Sequence, residues 1–303
     1  MKNVIAGTLL VALLSAAVHA EEAVKHPKLL AAGLGLGAII VEDGKVTKKY
    51  ATPGASQDAW LLLDGSLVAV GMGGVVKYDA SGETIFEFKP KVEGRYEIHT
   101  CLPLPDGKTL AAVNGPGELV TLDAAGKIVS TIKVPGLSKN AHMQMRNVRK
   151  RANGEYVIVA SDTNKVIILN ADGSAKREID IRKILPAPLK TNKLHGLAVL
   201  KNGNLLLGTG SGKCIVELDR DDKVVWSLSP ADAPELGIHY IAGIQRLPNG
   251  NTVASAYKSD YTLFEVTPDK KVLWKVPSKG LGAFTHVQML DVKGDPAKGE
   301  LQK

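Results

Sequence analysis

The sequence predicts an all-β protein, a six-bladed β-propeller with four strands in each blade. Three observations carry this prediction: Asp-Gly and Asn-Gly pairs repeat along the chain, short apolar runs flank each pair, and helix patterns are almost absent. Five such pairs recur at intervals of 42 to 49 residues. Four-stranded repeats of about 40–50 residues are typical of propeller blades.

Each repeat opens with an apolar strand that ends at one of these pairs, as residues 99–115 illustrate. The Asp106-Gly107 pair predicts a type I′ hairpin turn, because that turn requires two residues that tolerate positive φ. A second apolar strand, a polar loop, a third strand, a polar turn and a fourth strand follow. Five complete copies occupy residues 58–276, and their turn pairs are Asp64-Gly65, Asp106-Gly107, Asn153-Gly154, Asn202-Gly203 and Asn249-Gly250.

The two ends of the chain supply the sixth blade. Residues 286–290 have the pattern of a first strand, and residues 28–32, 38–41 and 46–50 have the patterns of the other three. Pairing the C-terminal strand with the three N-terminal strands closes the ring and removes its sheet edges. We therefore expect a single propeller over residues 21–292 and a mobile polar tail over residues 293–303.

Residues 1–20 have the pattern of a secretory signal peptide. Lys2 precedes an apolar run over residues 4–17, and Val18-His19-Ala20 has the small-residue spacing of a cleavage site. The run is too short to cross a membrane as a helix, and no later segment is long and apolar enough. We expect cleavage near Ala20 and a periplasmic or secreted monomer without a transmembrane segment.

Charge and cysteine content narrow the classes of partner. The formal net charge of +7 is compatible with an anionic ligand or an anionic envelope surface, although solvated lysines on loops are the better explanation of it. Export makes nucleic acid an unexpected partner, despite the basic run over residues 146–151. Cys101 and Cys214 fall in repeats that the ring holds apart, so we expect two buried free thiols.

One repeat position is rich in histidine. Seven residues before each turn pair, counting Lys293-Gly294 as the pair of the sixth blade, stand Gln57, His99, Arg146, His195, Ala242 and His286. First strands of a propeller begin at one mouth of its central channel, so these side chains should surround a single opening. Loops at the same end add further polar residues: His142, His239, Asn114, Asp162, Tyr257 and Lys258. Convergent polar groups at such a mouth predict a ligand site.

The residues leave the chemistry of this site open. The imidazoles of His99, His195 and His286 can hold zinc or copper if their nitrogens converge at about 2.0–2.1 Å from the ion. Without a metal, one imidazole can act as base or nucleophile while Arg146 neutralises an anion. A third alternative is a non-catalytic scaffold for an envelope protein, since the propeller fold serves many functions.

Two repeat segments, Gln245-Arg-Leu-Pro-Asn-Gly-Asn-Thr252 and Glu265-Val-Thr-Pro-Asp-Lys-Lys-Val-Leu-Trp274, resemble arylsulfotransferase-type propellers of bacteria and the broader PQQ-like repeats. Residues 99–115 match the frame of that family's motif, His-Asp-Ala-Gln-x-Leu-Pro-Asn-Gly-Asn, with Thr100 in place of its aspartate.

The resemblance implies a small anionic ligand and transfer of a sulfuryl group, or its hydrolysis. His99 is then the nucleophile, and His195, His286 and Arg146 are its anion-binding partners. In the segment that matches the motif best, Ala242 stands where the histidine is expected. No specific motif supports PQQ itself as a cofactor.

Overall fold

The computed structural model describes residues 27–279 and 282–303, so the predicted signal peptide lies outside the described residues. Within these ranges, 24 strands form six antiparallel sheets of four strands each. The predicted six-bladed propeller is confirmed.

The strands follow one another blade by blade. The chain begins with three strands of the blade that closes the ring: β1 (Leu29–Gly33), β2 (Gly37–Glu42) and β3 (Lys45–Tyr50). The first complete blade contains β4 (Ser56–Leu61), β5 (Leu67–Gly71), β6 (Gly74–Tyr78) and β7 (Thr84–Phe88). The second contains β8 (Glu97–Pro103), β9 (Thr109–Asn114), β10 (Glu118–Leu122) and β11 (Ile128–Lys133).

Three further complete blades bring the chain back to its start. The third contains β12 (Met145–Lys150), β13 (Tyr156–Ala160), β14 (Lys165–Leu169) and β15 (Ala175–Asp180). The fourth contains β16 (Gly196–Val199), β17 (Leu205–Gly208), β18 (Ile215–Leu218) and β19 (Val224–Leu228). The fifth contains β20 (Ile241–Arg246), β21 (Thr252–Ala256), β22 (Tyr261–Val266) and β23 (Val272–Pro277), and the last strand is β24 (Phe284–Met289).

The ring closes as the sequence predicts. Strand β24 pairs antiparallel with β1, with Leu29 opposite Met289 and Ala31 opposite Val287, and the sheet order is β24-β1-β2-β3. The first strands of the six blades (β4, β8, β12, β16, β20 and β24) contact one another in cyclic order, so they line a central channel.

Burial falls from the channel to the rim. Every residue of β8 is buried, whereas most of β11 in the same blade is exposed. The inner strands are rich in Val, Leu, Ile and Ala because both faces of each blade pack against neighbouring blades. The outer strands carry the polar residues that face solvent.

The hairpin turns follow two designs. Asp106 and Gly107 have φ of 61° and 71°, and the N–H of Lys108 donates to the Pro105 carbonyl at 3.4 Å, which is the predicted type I′ turn. The other pairs form a longer turn, in which the glycine N–H reaches back three residues. Gly154 N, for example, donates to the Arg151 carbonyl at 2.9 Å.

Over residues 27–279 and 282–303, helical structure is confined to short loop segments. One α-helical turn covers Ile181–Ile184, and 3₁₀ turns cover Pro105–Gly107, Ala141–Met143, Pro234–Leu236 and Pro296–Lys298. None of the helices in the described ranges has the length and apolar character needed to cross a membrane. Cys101 and Cys214 are buried and unpaired, as predicted.

The C-terminal segment differs from its predicted mobility. Its Pro296–Lys298 turn is followed by Leu301, which is buried, and the Gln302 carbonyl accepts a hydrogen bond from Arg246 N at 2.8 Å. The Lys303 ammonium lies inside the ring, 3.7 Å from the ring centroid of Trp60, and donates to the Ala59 carbonyl at 2.6 Å. Polar composition alone suggested a solvated tail, but these buried acceptors and the indole face stabilise the segment.

Candidate functional site at the channel mouth

Five of the six inner strands contain a β-bulge at the same level. In β4, Ser56 lies opposite Gly71 and Asp58 opposite Val70, so Gln57 is an extra residue in the ladder. Register shifts of the same kind occur in β8, β12, β20 and β24. A bulge bends the strand and re-aims a side chain, and bulges are common beside active sites. The repeated bulge therefore turns one residue of each of these five blades toward the channel mouth.

The bulges define two rings of side chains around the channel. The upper ring consists of the bulge residues and their equivalent in the fourth blade: Gln57, His99, Arg146, His195, Ala242 and Thr285. The lower ring consists of the residue that follows in each blade: Asp58, Thr100, Asn147, Gly196, Gly243 and His286. Hydrogen bonds between adjacent blades join members of the same ring, as described below.

The position of His286 is a correction to the sequence alignment. Ala32 lies opposite His286 and Gly33 opposite Phe284, so Thr285 is the bulge residue of the closing blade. His286 is therefore in the lower ring, at the level of Asp58. The alignment of this blade was wrong by one residue because it was counted back from Lys293-Gly294. That pair is not a hairpin turn between two strands of the blade.

A pocket of about 410 Å³ lies at the channel mouth. Five of the predicted site residues line it: Gln57, His142, Arg146, His195 and Tyr257. Sequence reasoning missed Tyr240 and Lys193 at its polar side, and Leu34, Met72 and Met143 at its apolar side. The pocket thus combines cationic, hydrogen-bonding and aromatic groups, and its volume lies within the usual range for small-molecule sites.

Arg146 is the central cation of this pocket. It is only 7% exposed, and its guanidinium donates to His99 Nδ1 at 2.9 Å and to the Met143 sulfur at 3.4 Å. Its Nε has no hydrogen-bond partner, and it forms no ion pair with a carboxylate in the described part of the chain. A buried guanidinium without a carboxylate in direct contact is costly, and Glu97 acts on Arg146 only from a distance.

His99 lies behind the pocket with both ring nitrogens engaged. Its Nε2 is 2.8 Å from Glu97 Oε2, and its Nδ1 faces both Arg146 and the Gln57 amide oxygen, which is 3.0 Å away. Burial lowers the pKa of His99 to about 4, against the opposing effect of Glu97. The ring is therefore neutral, donates from Nε2 to Glu97, and accepts from Arg146 at Nδ1.

His195 is held differently. Tyr240 donates its hydroxyl proton to the Lys193 carbonyl at 3.2 Å, and the same oxygen lies 3.0 Å from His195 Nδ1. The hydroxyl oxygen thus accepts from Nδ1–H, which leaves the lone pair on Nε2. No described group hydrogen-bonds to that Nε2, and burial holds the pKa of His195 well below its usual value. The ring is a neutral base within the pocket wall.

Glu97 contacts two histidines, His99 and His142, at the channel mouth. Its Oε2 is 2.8 Å from His99 Nε2 and 2.6 Å from His142 Nδ1, and its Oε1 is 2.5 Å from Arg95 Nη2. Burial raises the pKa of Glu97, but the hydrogen bonds from His99, Arg95 and His142 outweigh it and hold the pKa below its usual range. This carboxylate is therefore ionised.

A second charged cluster lies in the lower ring. His286 Nδ1 is 2.9 Å from Asp58 Oδ1, and Asp58 Oδ2 accepts from Thr100 Oγ1 at 3.1 Å. Although burial raises the pKa of Asp58, His286, Lys303 and Arg149 together hold it below its usual range. Asp58 is therefore the buried anion that faces these three basic side chains.

The remaining predicted site residues lie outside the pocket lining. Asn114 clamps the backbone of β12, since its amide pairs with both the N–H and the carbonyl of Met145 at 3.1 Å. Asp162 and His239 are exposed. Lys258 is exposed too, with its ammonium 5.3 Å from the ring centroid of Tyr257.

The three histidines considered as metal ligands lie in three different environments. His286 faces Asp58, His195 bonds to Tyr240, and His99 bonds to Glu97. Among the described residues, the group whose ligand atoms all lie within 4.8 Å of one another is instead Glu97, His99 and His142. Side chains alternate between the two faces of a strand, so Glu97 and His99 lie on the same face of β8. This spacing could have identified Glu97 from the sequence, but the repeat alignment did not consider it.

The buried histidines predict a pH-dependent stability. Burial lowers the pKa of His286 to about 4, and His195 is also lowered. Between pH 4 and 6.5 the unfolded chain therefore binds more protons than the folded one, so stability rises with pH. We expect a slope of up to about 1.4 kcal/mol per pH unit for each histidine, measured by urea unfolding. A flat profile over this window would contradict these neutral states.

Comparisons with known proteins support the fold. No family model matches the chain, and no curated protein matches it by sequence. A protein of unknown function from Bacteroides caccae matches 86% of this chain and 98% of its own, with 19% identity and a TM-score of 0.74.

Two further solved structures are also β-propellers. A catalytically inactive histidine-to-alanine variant of virginiamycin B lyase from Staphylococcus aureus, solved with quinupristin, matches 83% of this chain and 85% of its own, with 11% identity and a TM-score of 0.59. A chain of the nidogen–laminin complex matches 86% of this chain and 97% of its own, with 10% identity and a TM-score of 0.64. At these identities the similarity establishes the β-propeller fold alone.

Proposed function

We propose that the protein binds a small anionic ligand in the channel-mouth pocket, with Arg146 as the main anion contact. The observation that carries this proposal is a buried guanidinium with a free Nε and no carboxylate partner, in the wall of a pocket of about 410 Å³. An entering anion would supply the missing counter-ion in a medium where charge pairs interact strongly.

The other walls of the pocket suit an aryl group on the anion. The rings of Tyr240 and Tyr257 meet edge to face, with centroids 6.0 Å apart, and Met72 and Leu34 add apolar surface. Aromatic and apolar walls with a few convergent polar groups are typical of small-molecule sites. An aryl sulfate combines these features and agrees with the arylsulfotransferase-like repeats of the sequence.

A second candidate function is group transfer at the same pocket, with His195 rather than His99 as the reacting base or nucleophile. His99 has both nitrogens engaged and does not line the pocket, whereas His195 lines it and has an unprotonated Nε2. Virginiamycin B lyase offers a parallel only in that a histidine substitution inactivates a propeller enzyme.

Titration calorimetry with 4-nitrophenyl sulfate tests the binding proposal, and 4-nitroanisole serves as a neutral probe of similar shape. We expect the sulfate to bind, the neutral probe to bind far more weakly, and Arg146→Met to weaken sulfate binding by at least about 30-fold. Lys258→Met, which alters an exposed cation outside the lining, is the matched control. Equal binding of both probes, or an unchanged affinity in Arg146→Met, would exclude the proposal.

The same probe tests transfer, because breaking its sulfur–oxygen ester bond passes the sulfuryl group to the acceptor and releases coloured 4-nitrophenolate. With a phenol as acceptor, we expect His195→Asn to lower release by about 10²–10⁴-fold while leaving probe binding within about threefold. Binding without release in the wild type would leave the ligand-binding proposal and reject the transferase.

The proposal includes export to the periplasm or medium, for which the leader pattern of residues 1–20 is the support. An exported protein could also be the non-catalytic scaffold for an envelope protein. That alternative predicts that Arg146 and His195 can be replaced without loss of function.

A further inference from the structure

We propose that Glu97, His99 and His142 bind a zinc ion at the edge of the channel-mouth pocket. Within the described ranges, these three side chains offer ligand atoms that all lie within 4.8 Å of one another. Two imidazoles and one carboxylate form a donor set that zinc favours, whereas magnesium and calcium favour oxygen alone. This set differs from the three strand histidines that the sequence suggested.

The present distances are close to those of a coordinated site. Glu97 Oε2 lies 2.8 Å from His99 Nε2 and 2.6 Å from His142 Nδ1. Tetrahedral ligands at about 2.1 Å from zinc are separated by about 3.4 Å, so each contact must open by less than about 1 Å. His142 is on the Ala141–Met143 turn with its side chain 43% exposed, and it can make this movement without disturbing a strand.

Two outer partners are already in place for the ligands. Arg95 holds the other Glu97 oxygen, with Nη2–Oε1 at 2.5 Å and Nε–Oε1 at 3.1 Å. Zinc on His99 Nε2 requires the proton on Nδ1, and Gln57 Oε1 lies 3.0 Å from that nitrogen as an acceptor. Metal-bound imidazoles commonly donate their other N–H to such an oxygen, which orients the ring.

Zinc binding also changes the partner of Arg146. In the metal-free tautomer His99 Nδ1 accepts from Arg146 Nη1 at 2.9 Å, and a protonated Nδ1 cannot do so. The released guanidinium then turns to a ligand in the pocket, so zinc and the anion should strengthen each other's binding by the same factor. This coupling rests on the proposed function, whereas the zinc site itself does not.

The site leaves room for chemistry beside the pocket. Three protein ligands leave one position of a tetrahedral zinc ion open, as in catalytic zinc sites. His142 lines the pocket, so a zinc ion held by these residues would adjoin it and could polarise a bound water or ligand there.

The test uses the full chain without a metal-binding tag, stripped with chelator and dialysed. Zinc chloride is titrated by calorimetry, and cobalt substitution reports tetrahedral coordination by its visible absorption. We expect one equivalent of zinc, with binding weakened at least about tenfold in His142→Ala and about 10- to 100-fold in Gln57→Ala. His239→Ala, which removes an exposed histidine from the loop before β20, is the control and should match the wild type.

His142 is the ligand chosen for substitution because Glu97 and His99 are buried and their loss can disturb folding. A metal-free melting curve of His142→Ala that matches the wild type excludes misfolding as the cause of weakened binding. Absence of saturable zinc binding in the wild type, or equal affinity in His142→Ala, would overturn the zinc site. Zinc binding without any 4-nitrophenyl sulfate binding would instead remove the proposed anion function and leave the zinc site standing.

Discussion

Replacement of Asp58 by asparagine is expected to destabilise the fold by about 3–5 kcal/mol, since it leaves the buried Arg149 guanidinium without its carboxylate. Asp58 is 1% exposed and lies 2.9 Å from His286 Nδ1, while Arg149 and Lys303 act on it through the ring interior. The asparagine keeps the shape and the hydrogen bond from Thr100 but removes the negative charge. Urea unfolding at neutral pH measures the change.

Asp162→Asn is the matched control for this substitution. Asp162 is exposed, so the same change of charge there should alter stability by less than about 0.5 kcal/mol. Equal small effects for the two variants would show that the Asp58 charge does not hold the lower ring together.

Replacement of Arg146 by methionine is expected to raise stability while removing anion binding. The change eliminates a buried charge that has no carboxylate partner, and methionine fills much of the same volume beside Met143. Desolvation of a buried ion costs several kcal/mol, so we expect its removal here to raise stability by about 1 kcal/mol or more. The Gln57 amide, 3.0 Å from His99 Nδ1, can rotate to replace the lost donor.

Arg149→Met is the informative comparison, because Arg149 is a comparably buried arginine three residues further along β12. Its guanidinium donates to the Val148 carbonyl at 2.8 Å and to the Lys303 carbonyl, and it faces Asp58. We expect this variant to lose stability. A destabilised Arg146→Met would mean that the upper arginine is structural rather than reserved for a ligand.

The repeat pattern made the fold predictable. Turn pairs such as Asn153-Gly154 and the flanking apolar runs are local signals, and their even spacing determines the number of blades. The closure of the ring followed from counting strands, since three N-terminal strands lacked a first strand and the C-terminus supplied one.

The site was predictable only where the repeat carried it. Gln57 and Arg146 are bulge residues and His195 is their equivalent in the fourth blade, and all three were found by counting back from the turns. Thr285 was missed because the closing blade lacks a comparable turn. Tyr240 was missed because it belongs to a loop of irregular length, so its position depends on packing between blades.

Glu97 and the C-terminal residues show a second limit. Glu97 is charged and was unremarkable in sequence, yet it is buried because Arg95, His99 and His142 surround it. Lys303 is likewise buried through an indole face and a carbonyl of β4, a strand more than 200 residues away in the sequence. Such burial depends on partners far apart in sequence, which composition cannot reveal.

The seam between β24 and β1 also sets an order of events in folding. Within a complete blade all strand pairs are local antiparallel hairpins. The seam joins the two ends of the chain, so its formation costs the conformational entropy that is lost when the whole ring closes. His286 is carried by the seam strand, so it reaches Asp58 only when β24 docks between the first and fifth blades. Until then the charges of the lower ring can remain hydrated, and their desolvation and the completion of the ring take place in the same late step.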